Sequence, residues 1–205
     1  LFFGTYVMAE KGNFVAGHKI VIDAGHGGSD PGSTECDGLY EKDANLDIAE
    51  RLKTKLEAND AVVYMTREDD VYKTNADRYD YANSTDGEVL VSIHLNGSTK
   101  HDVNGSMSLY TKPWKDKDFT ATVHNDIVDM LGVGNLGITN FMSGVTLKFN
   151  GPAAMLEPVY ISNTDECRDL TDGSGERQDQ IADSIYEGLN NWFDGNIVEV
   201  FQGSG

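Results

Sequence analysis

His18-Lys19-Ile20-Val21-Ile22-Asp23-Ala24-Gly25-His26-Gly27-Gly28 begins as an apolar run and ends in a glycine-rich turn that carries an imidazole. A run of that length, rich in β-branched residues and closed by glycine, reads as a strand over 18–23 buried in an α/β sheet. The glycines of the turn let the backbone bend sharply and come close to a ligand. It is no phosphate loop, because the Gly-Lys-Ser/Thr ending is missing. Two later runs close in the same way: Val89-Leu90-Val91-Ser92-Ile93 leads to His94, and Ala153-Ala154-Met155-Leu156 leads to Glu157. Ligands of α/β sheets bind just past the carboxyl ends of the strands, so these three residues are expected to converge in space.

Between the runs the period changes. Over 43–57 the apolar positions Ala44, Ile48, Ala49, Leu52 and Leu56 mark one face of a helix, with Asp43 as its N-cap and Glu41 at its entrance. Further strands are expected over 61–65, 88–94, 145–149 and 153–157, and at 105–110, whose alternation suits a sheet edge. Further helices are expected over 74–83, 118–131 and 176–193, with a rim loop over 131–144. Strands alternating with helices predict a single three-layer α/β domain over 18–193. Residues 1–17 read as an irregular lead-in or edge element. Residues 194–205 read as a tail whose last five resemble the remnant of an engineered cleavage site as much as native sequence.

A chain of 205 residues fits one domain with a substantial core. Its net charge of −18, from 34 acidic and 16 basic residues, argues against nucleic acid or an anionic membrane as an electrostatic partner. An anionic target would have to be gripped locally. No stretch approaches the roughly 20 apolar residues of a membrane span, and the start lacks the pattern of a signal peptide. Leu1 is not an initiating Met, so a chain processed or excised from a longer one is expected. Cys36 and Cys167 are too few for a disulfide framework and have no CxxC spacing. Each is expected in a loop after a candidate site element. A disulfide tying those loops over the site and two unpaired thiols both fit, and the Cα separation decides between them.

Two imidazoles and a carboxylate, His26, His94 and Glu41, form a familiar donor set for a zinc ion that keeps one position open for water. Glu157 is placed to take a proton from that water and pass it to a departing nitrogen. Each residue alone has an ordinary explanation: a histidine bonded to nearby backbone, a glutamate favourable to a helix dipole. Glu157, between Leu156 and Pro158, would be costly to bury without a partner. One metal site accounts for all of these placements together. His18, His101 and His124 read as structural or solvated.

The motifs Ile22-Asp23-Ala24-Gly25-His26-Gly27-Gly28 with Asp30-Pro31-Gly32, Glu41-Lys42 leading to Asn45-Leu46, Thr66-Arg67, Ser92-Ile93-His94-Leu95-Asn96, and Leu156-Glu157 with Ser162-Asn163 resemble the zinc-dependent N-acetylmuramoyl-L-alanine amidases. These are bacterial and phage cell-wall hydrolases that cut the amide between N-acetylmuramic acid and the first L-alanine of the stem peptide. The resemblance runs in order from about residue 19 to 193. It implies His26, Glu41 and His94 as ligands of one zinc ion per chain, Glu157 as the catalytic carboxylate, and a mixed, mostly parallel sheet of about six strands flanked by helices. Arg78 and Asn83 match a helical motif read as structural, and Asn96 is a candidate substrate contact. The implied partner is peptidoglycan, met by a monomer outside the cell or at the wall.

Two departures accompany the resemblance. Many relatives carry an Arg-Gly pair where this chain has Leu136-Gly137-Ile138-Thr139. Some carry an insertion that folds over the zinc, whereas residues 110–153 here are filled by a helix and a rim loop, so no built-in inhibitory helix is expected. A zinc peptidase or carboxypeptidase is the competing enzyme reading; an arginine gripping a free carboxylate would favour it, and none is evidently placed for that, with Arg67 left open. A wall-binding module without catalysis is the competing non-enzyme reading.

Overall fold

Six strands form one sheet: β1 (Lys19–Ala24), β2 (Val62–Met65), β3 (Val89–Ile93), β4 (Ser106–Tyr110), β5 (Asn135–Asn140) and β6 (Ala153–Glu157). The order is β2-β1-β3-β6-β4-β5, and every neighbouring pair is parallel except β4 with β6. The helices are α1 (Glu41–Ala58), α2 (Asn75–Ser84), α3 (Pro113–Leu131), α4 (Gly144–Lys148), α5 (Thr164–Thr171) and α6 (Glu176–Phe193). The computed structural model describes residues 12–195; the expected lead-in up to residue 11 and the tail from residue 196 lie outside them. Residues 12–15 dock on α6, where Asn190 donates to Gly12 O at 2.9 Å and accepts from Phe14 N at 2.8 Å.

The period of two along each strand divides the sheet into unequal sides. Ile20, Ile22, Val91, Ile93, Ala154 and Leu156 face α1, α3 and α6 and build the main core with Ile48, Leu52, Phe119, Ile181 and Ile185. The opposite face carries a small cluster, Val21, Leu90 and Ala153 with Ala82, Val145 and Phe149, beneath α2 and α4. On that thin side the register stacks residues in rows. Val21, Leu90 and Ala153 pair in the lowest row, and Asp23, Ser92 and Met155 pair in the next. One step of two further along lie His94 and Glu157, on neighbouring strands and on the same face.

Several boundaries and types differ from the sequence-based expectations. Residues 105–110 are not a sheet edge: β4 lies between β6 and β5, and its alternation places the small Ser106 and Ser108 against α3. The edge is β5, inside the expected rim loop, where exposed polar residues and Gly137 hid a strand held by backbone pairing to β4. Residues 145–149 form helix α4, since a five-residue apolar run does not distinguish the two states. α1 starts at Glu41 after Tyr40, so Asp43 sits in the first turn instead of capping it. α3 starts at Pro113, where proline suits the first helical position. α5 was not expected, although Asn163 caps it by accepting from Asp165 N and Glu166 N; Cys167 therefore lies in a helix and not in a loop. Asn83 is structural as read, bridging α2 to Lys148 O and Asn150 N at 2.9 Å each.

Asp23, 1% exposed, holds the middle row together. It accepts from Arg78 at 2.8 Å, from Thr66 Oγ1 at 2.6 Å and from Ser92 Oγ at 2.6 Å. Burial opposes its charge, but Arg78 and the two hydroxyls outweigh it and hold the carboxyl below the ordinary 3.8. Cys36 and Cys167 form a disulfide with Cα atoms 5.5 Å apart, closing a separation of 131 residues. It fastens the segment before α1 to α5.

Asp23→Asn is expected to destabilise the fold by about 3 kcal/mol, because it leaves Arg78 buried without its counter-charge; urea unfolding at neutral pH measures this. The folded pKa is depressed, so the contribution is present above the unfolded value near 3.8 and is lost as pH falls through the folded value. The wild-type advantage over the variant should therefore shrink only below about pH 4. Cys36→Ser with Cys167→Ser should lower stability by about 2–4 kcal/mol, read as a drop in unfolding temperature that reductant reproduces in the wild type.

Candidate metal centre

Past β1 the chain turns through His26 at φ +60°, Gly27 at +127° and Gly28 at +57°. The left-handed region costs a residue with a side chain about 1–3 kcal/mol, and it is kept where surrounding bonds enforce it. Here two buried guanidiniums do so. Arg67 donates to Ala24 O and Gly25 O at 2.9 Å each and to Lys42 O at 2.7 Å. Arg78 donates to Ala24 O at 2.7 Å and to His26 O at 2.6 Å. Arg67 is thus engaged by main-chain carbonyls, which removes it as the carboxylate grip of a peptidase.

His26 Nδ1 meets Asp30 Oδ2 at 2.9 Å, which leaves Nε2 facing Glu41 Oε1 at 3.1 Å. His94 Nδ1 lies 3.1 Å from the same oxygen. The two imidazoles stand edge to face, with ring centroids 4.8 Å apart. Glu41 is 5% exposed, and its Oε2 accepts from Ser33 N at 2.8 Å. Oε1 also lies within reach of Leu95 N at 3.1 Å and Asn45 Nδ2 at 3.3 Å. One carboxylate oxygen has too few lone pairs for four donors. Imidazole lone pairs turned toward a shared cation would relieve that excess.

The donor set fits a metal. Donors about 2.0–2.2 Å from a tetrahedral ion stand about 3.3–3.6 Å apart. Both Glu41 contacts are close to that spacing, and all three donor atoms lie within 4.8 Å of one another. Asp30 is the orienting partner that a metal-binding histidine commonly has. Burial works against charge on His26, but Glu41 and Asp30 overcome it and raise the imidazole to about 8. Burial likewise opposes charge on Glu41, yet hydrogen bonds from His26 and His94 hold its carboxyl far below the usual range.

Glu157 adjoins this group. Leu156 pairs with Ile93, and His94 N donates to Leu156 O at 2.9 Å, so the side chains of His94 and Glu157 stand next to each other. Glu157 is half-buried, and among the described residues its carboxylate makes no hydrogen bond or ion pair. Burial, with Glu41 adding to it against the pull of His94 and His26, raises this carboxyl above 4.5. A carboxylate with raised proton affinity beside a group of donors that could hold a metal is suited to hydrolysis. Asn96 continues the β3 to β6 pairing through Val159 O and Ile161 N, and its Oδ1 accepts from Gly97 N at 2.9 Å. The other histidines sit apart from the centre: His18 stacks on Phe193, His124 is buried between Ser108 and Asn135, and His101 Nδ1 meets Ser162 O.

A cleft of about 410 Å³ opens from His26 and His94 across Asp23, Arg78 and Met155 on the thin side of the sheet. Tyr72, Lys73, Phe141 and Met142 line its walls. Sequence reasoning expected a rim loop over 131–144, which carries Phe141 and Met142, but missed Tyr72, Lys73 and the role of Asp30. Only the placement of Asp30 four residues after His26, next to Pro31-Gly32, hinted at a partner for the imidazole.

A family model described as N-acetylmuramoyl-L-alanine amidase matches residues 20–191. N-acetylmuramoyl-L-alanine amidase LytC of Bacillus subtilis is 29% identical over 192 residues, which are 92% of this chain and 38% of LytC. The probable cell wall amidase LytH of Staphylococcus saprophyticus is 34% identical over 177 residues, 85% of this chain and 58% of LytH. The chain therefore spans less than two thirds of either relative. The crystal structure of an N-acetylmuramoyl-L-alanine amidase from Clostridium difficile 630 superposes with a TM-score of 0.81 at 33% identity, covering 87% of this chain and 97% of that one.

Gly32, at φ +65°, packs so closely on the centre that an added Cβ would lie 2.6 Å from Glu41 Oε2 and 2.7 Å from His26 Cδ2. Gly32→Ala should weaken metal binding about 10- to 100-fold, as disturbing ligand orientation does, while the fold persists. Metal retained after dialysis against a graded chelator, measured by elemental analysis, checks this.

Proposed function

We propose, from the premise that this chain belongs to the N-acetylmuramoyl-L-alanine amidase family, that it hydrolyses the amide between N-acetylmuramic acid and the first L-alanine of the stem peptide in peptidoglycan. The observation that carries this reading is the adjacency of Glu157 to a cluster of His26, Glu41 and His94 at the strand ends. Those three residues would hold one zinc ion per chain. When bound, zinc acts as a Lewis acid and lowers the pKa of a coordinated water to about 7. Glu157 accepts the proton of the attacking water and returns it to the nitrogen as the carbon–nitrogen bond breaks. Its raised carboxyl suits both halves of that transfer. Asp30 holds the His26 ring in the tautomer that presents Nε2. Nδ2 of Asn96, whose Oδ1 is already used, is the atom that side chain can offer to substrate.

The Cys36–Cys167 disulfide supports action in an oxidising compartment outside the cytoplasm, at the bacterial wall. Among the described residues no helix is long and apolar enough to cross a membrane. The site is proposed to work without an activator: between α3 and β6 the chain places edge strand β5 and the five-residue α4, and His26 and His94 both line the open cleft.

Glu157→Gln should retain about one zinc per chain and release stem peptides from purified peptidoglycan about 10²- to 10⁴-fold more slowly. Zinc by elemental analysis and peptide release by chromatography test this together, and unchanged release would remove Glu157 from the reaction. Stem peptides lacking muramic acid should resist cleavage; their hydrolysis would favour the peptidase reading. Activity of the isolated chain that appears only after a partner protein is added would sink the open-site reading.

A further inference from the structure

We propose that Lys73 is a specificity-determining residue whose ammonium pairs with a free carboxylate of the bound stem peptide. The inference rests on the amidase reading. Its starting point is the charged side chains that line the cleft. Asp23 and Arg78 neutralise each other, Asp30 holds His26, and the imidazoles face Glu41. Lys73 alone among them makes no ion pair or side-chain hydrogen bond with any described residue. Asp77 senses its charge from a distance, but the Asp77 carboxylate is occupied by the Thr74 cap.

Lys19, Lys42, Lys53, Lys55 and Lys112 have carboxylate partners; among the described lysines that have none, only Lys73 lines this cleft. The unpaired ammonium of a half-buried lysine, where acids outnumber bases by about two to one, is free to receive an anion from outside. It also answers an electrostatic difficulty: an acidic protein repels an anionic substrate unless a local cation admits it.

The backbone fixes where the lysine side chain begins. Arg78 Nε donates to Lys73 O at 3.3 Å while Arg78 Nη2 donates to His26 O at 2.6 Å, so one guanidinium anchors Lys73 and a metal ligand together. Asp70, three residues earlier, accepts from Gly28 N at 2.7 Å and from Lys42 Nζ at 2.6 Å, which clamps the same loop to the ligand turn. From that anchored backbone rises the flexible four-carbon stem of Lys73, in a loop that borders this cleft and, on its other side, a groove lined by Glu68, Asp69 and Asp77. A carboxylate carried by the stem peptide near the cleaved bond is the anion this placement recognises.

The test uses two soluble muramyl peptides that are identical except that the stem carboxylate is free in one and amidated in the other. Wild-type protein should favour the free acid about tenfold in kcat/KM, the effect of one charge-assisted hydrogen bond. Lys73→Met should bring the ratio close to one, and Lys73→Arg should keep most of the preference, with zinc content and unfolding temperature confirming that both variants fold. Equal cleavage of both peptides by the wild type, or a preference that survives Lys73→Met, would overturn the assignment and leave the amidase reading intact. Cleavage of neither peptide by the zinc-loaded wild type would overturn the amidase reading and the assignment with it.

Discussion

The carbonyl oxygens of Ala24, Gly25 and His26 point where no neighbouring strand can pair with them, and the site depends on how they are satisfied. Arg67 and Arg78 supply charged donors to all three. Unpaired buried carbonyls would each cost about 1–3 kcal/mol, enough to unwind the turn. With them met, His26 can hold its left-handed backbone and aim its ring at Glu41. Arg78 is in turn neutralised by Asp23, which Thr66 and Ser92 bind from β2's end and β3. Beneath the candidate metal centre therefore lies a buried ionic layer that keeps its geometry in place.

Strand register does the rest of the assembly. Parallel pairing of β1, β3 and β6 places equivalent strand ends at one level, and the alternation of side chains sends His94 and Glu157 to the same face. A slip of one residue in either strand would carry its side chain into the main core. Glu41 comes from a different kind of element, the first turn of α1, where the positive end of the helix favours a carboxylate. Its neighbours Ser33 and Leu95 bind it through backbone amides, so its orientation does not rely on a metal.

How legible the chain was depended on local pattern. β1, β3, β6, α1 and α6 have strong apolar periodicity and appeared within one or two residues of their observed ends, apart from starts and caps. β5 escaped because its strand state comes from backbone bonds to β4, and its side chains are too exposed and polar to carry a pattern. α4 was misread because Val145 and Phe149 are buried against α2 and the sheet in a helical turn that a short apolar run does not reveal. Of the candidate site, the convergence of His26, Glu41 and His94, with Glu157 beside them, was legible from their positions at strand ends and a helix start. The cleft walls were legible only in part: Phe141 and Met142 fall in the expected rim loop, whereas Tyr72 and Lys73 come from a segment with no apolar period.

By itself the sequence determined the α/β alternation, the three apolar runs that end in donor groups and the family motifs. Those are local properties, written in residue type and spacing. Only the tertiary structure decided the choice between a disulfide and free thiols at Cys36 and Cys167, the engagement of Arg67 by carbonyls, and the absence of a partner for Lys73 among the described residues. Each of these turns on which groups from distant segments meet at a few ångströms, and strand pairing and helix packing set such distances.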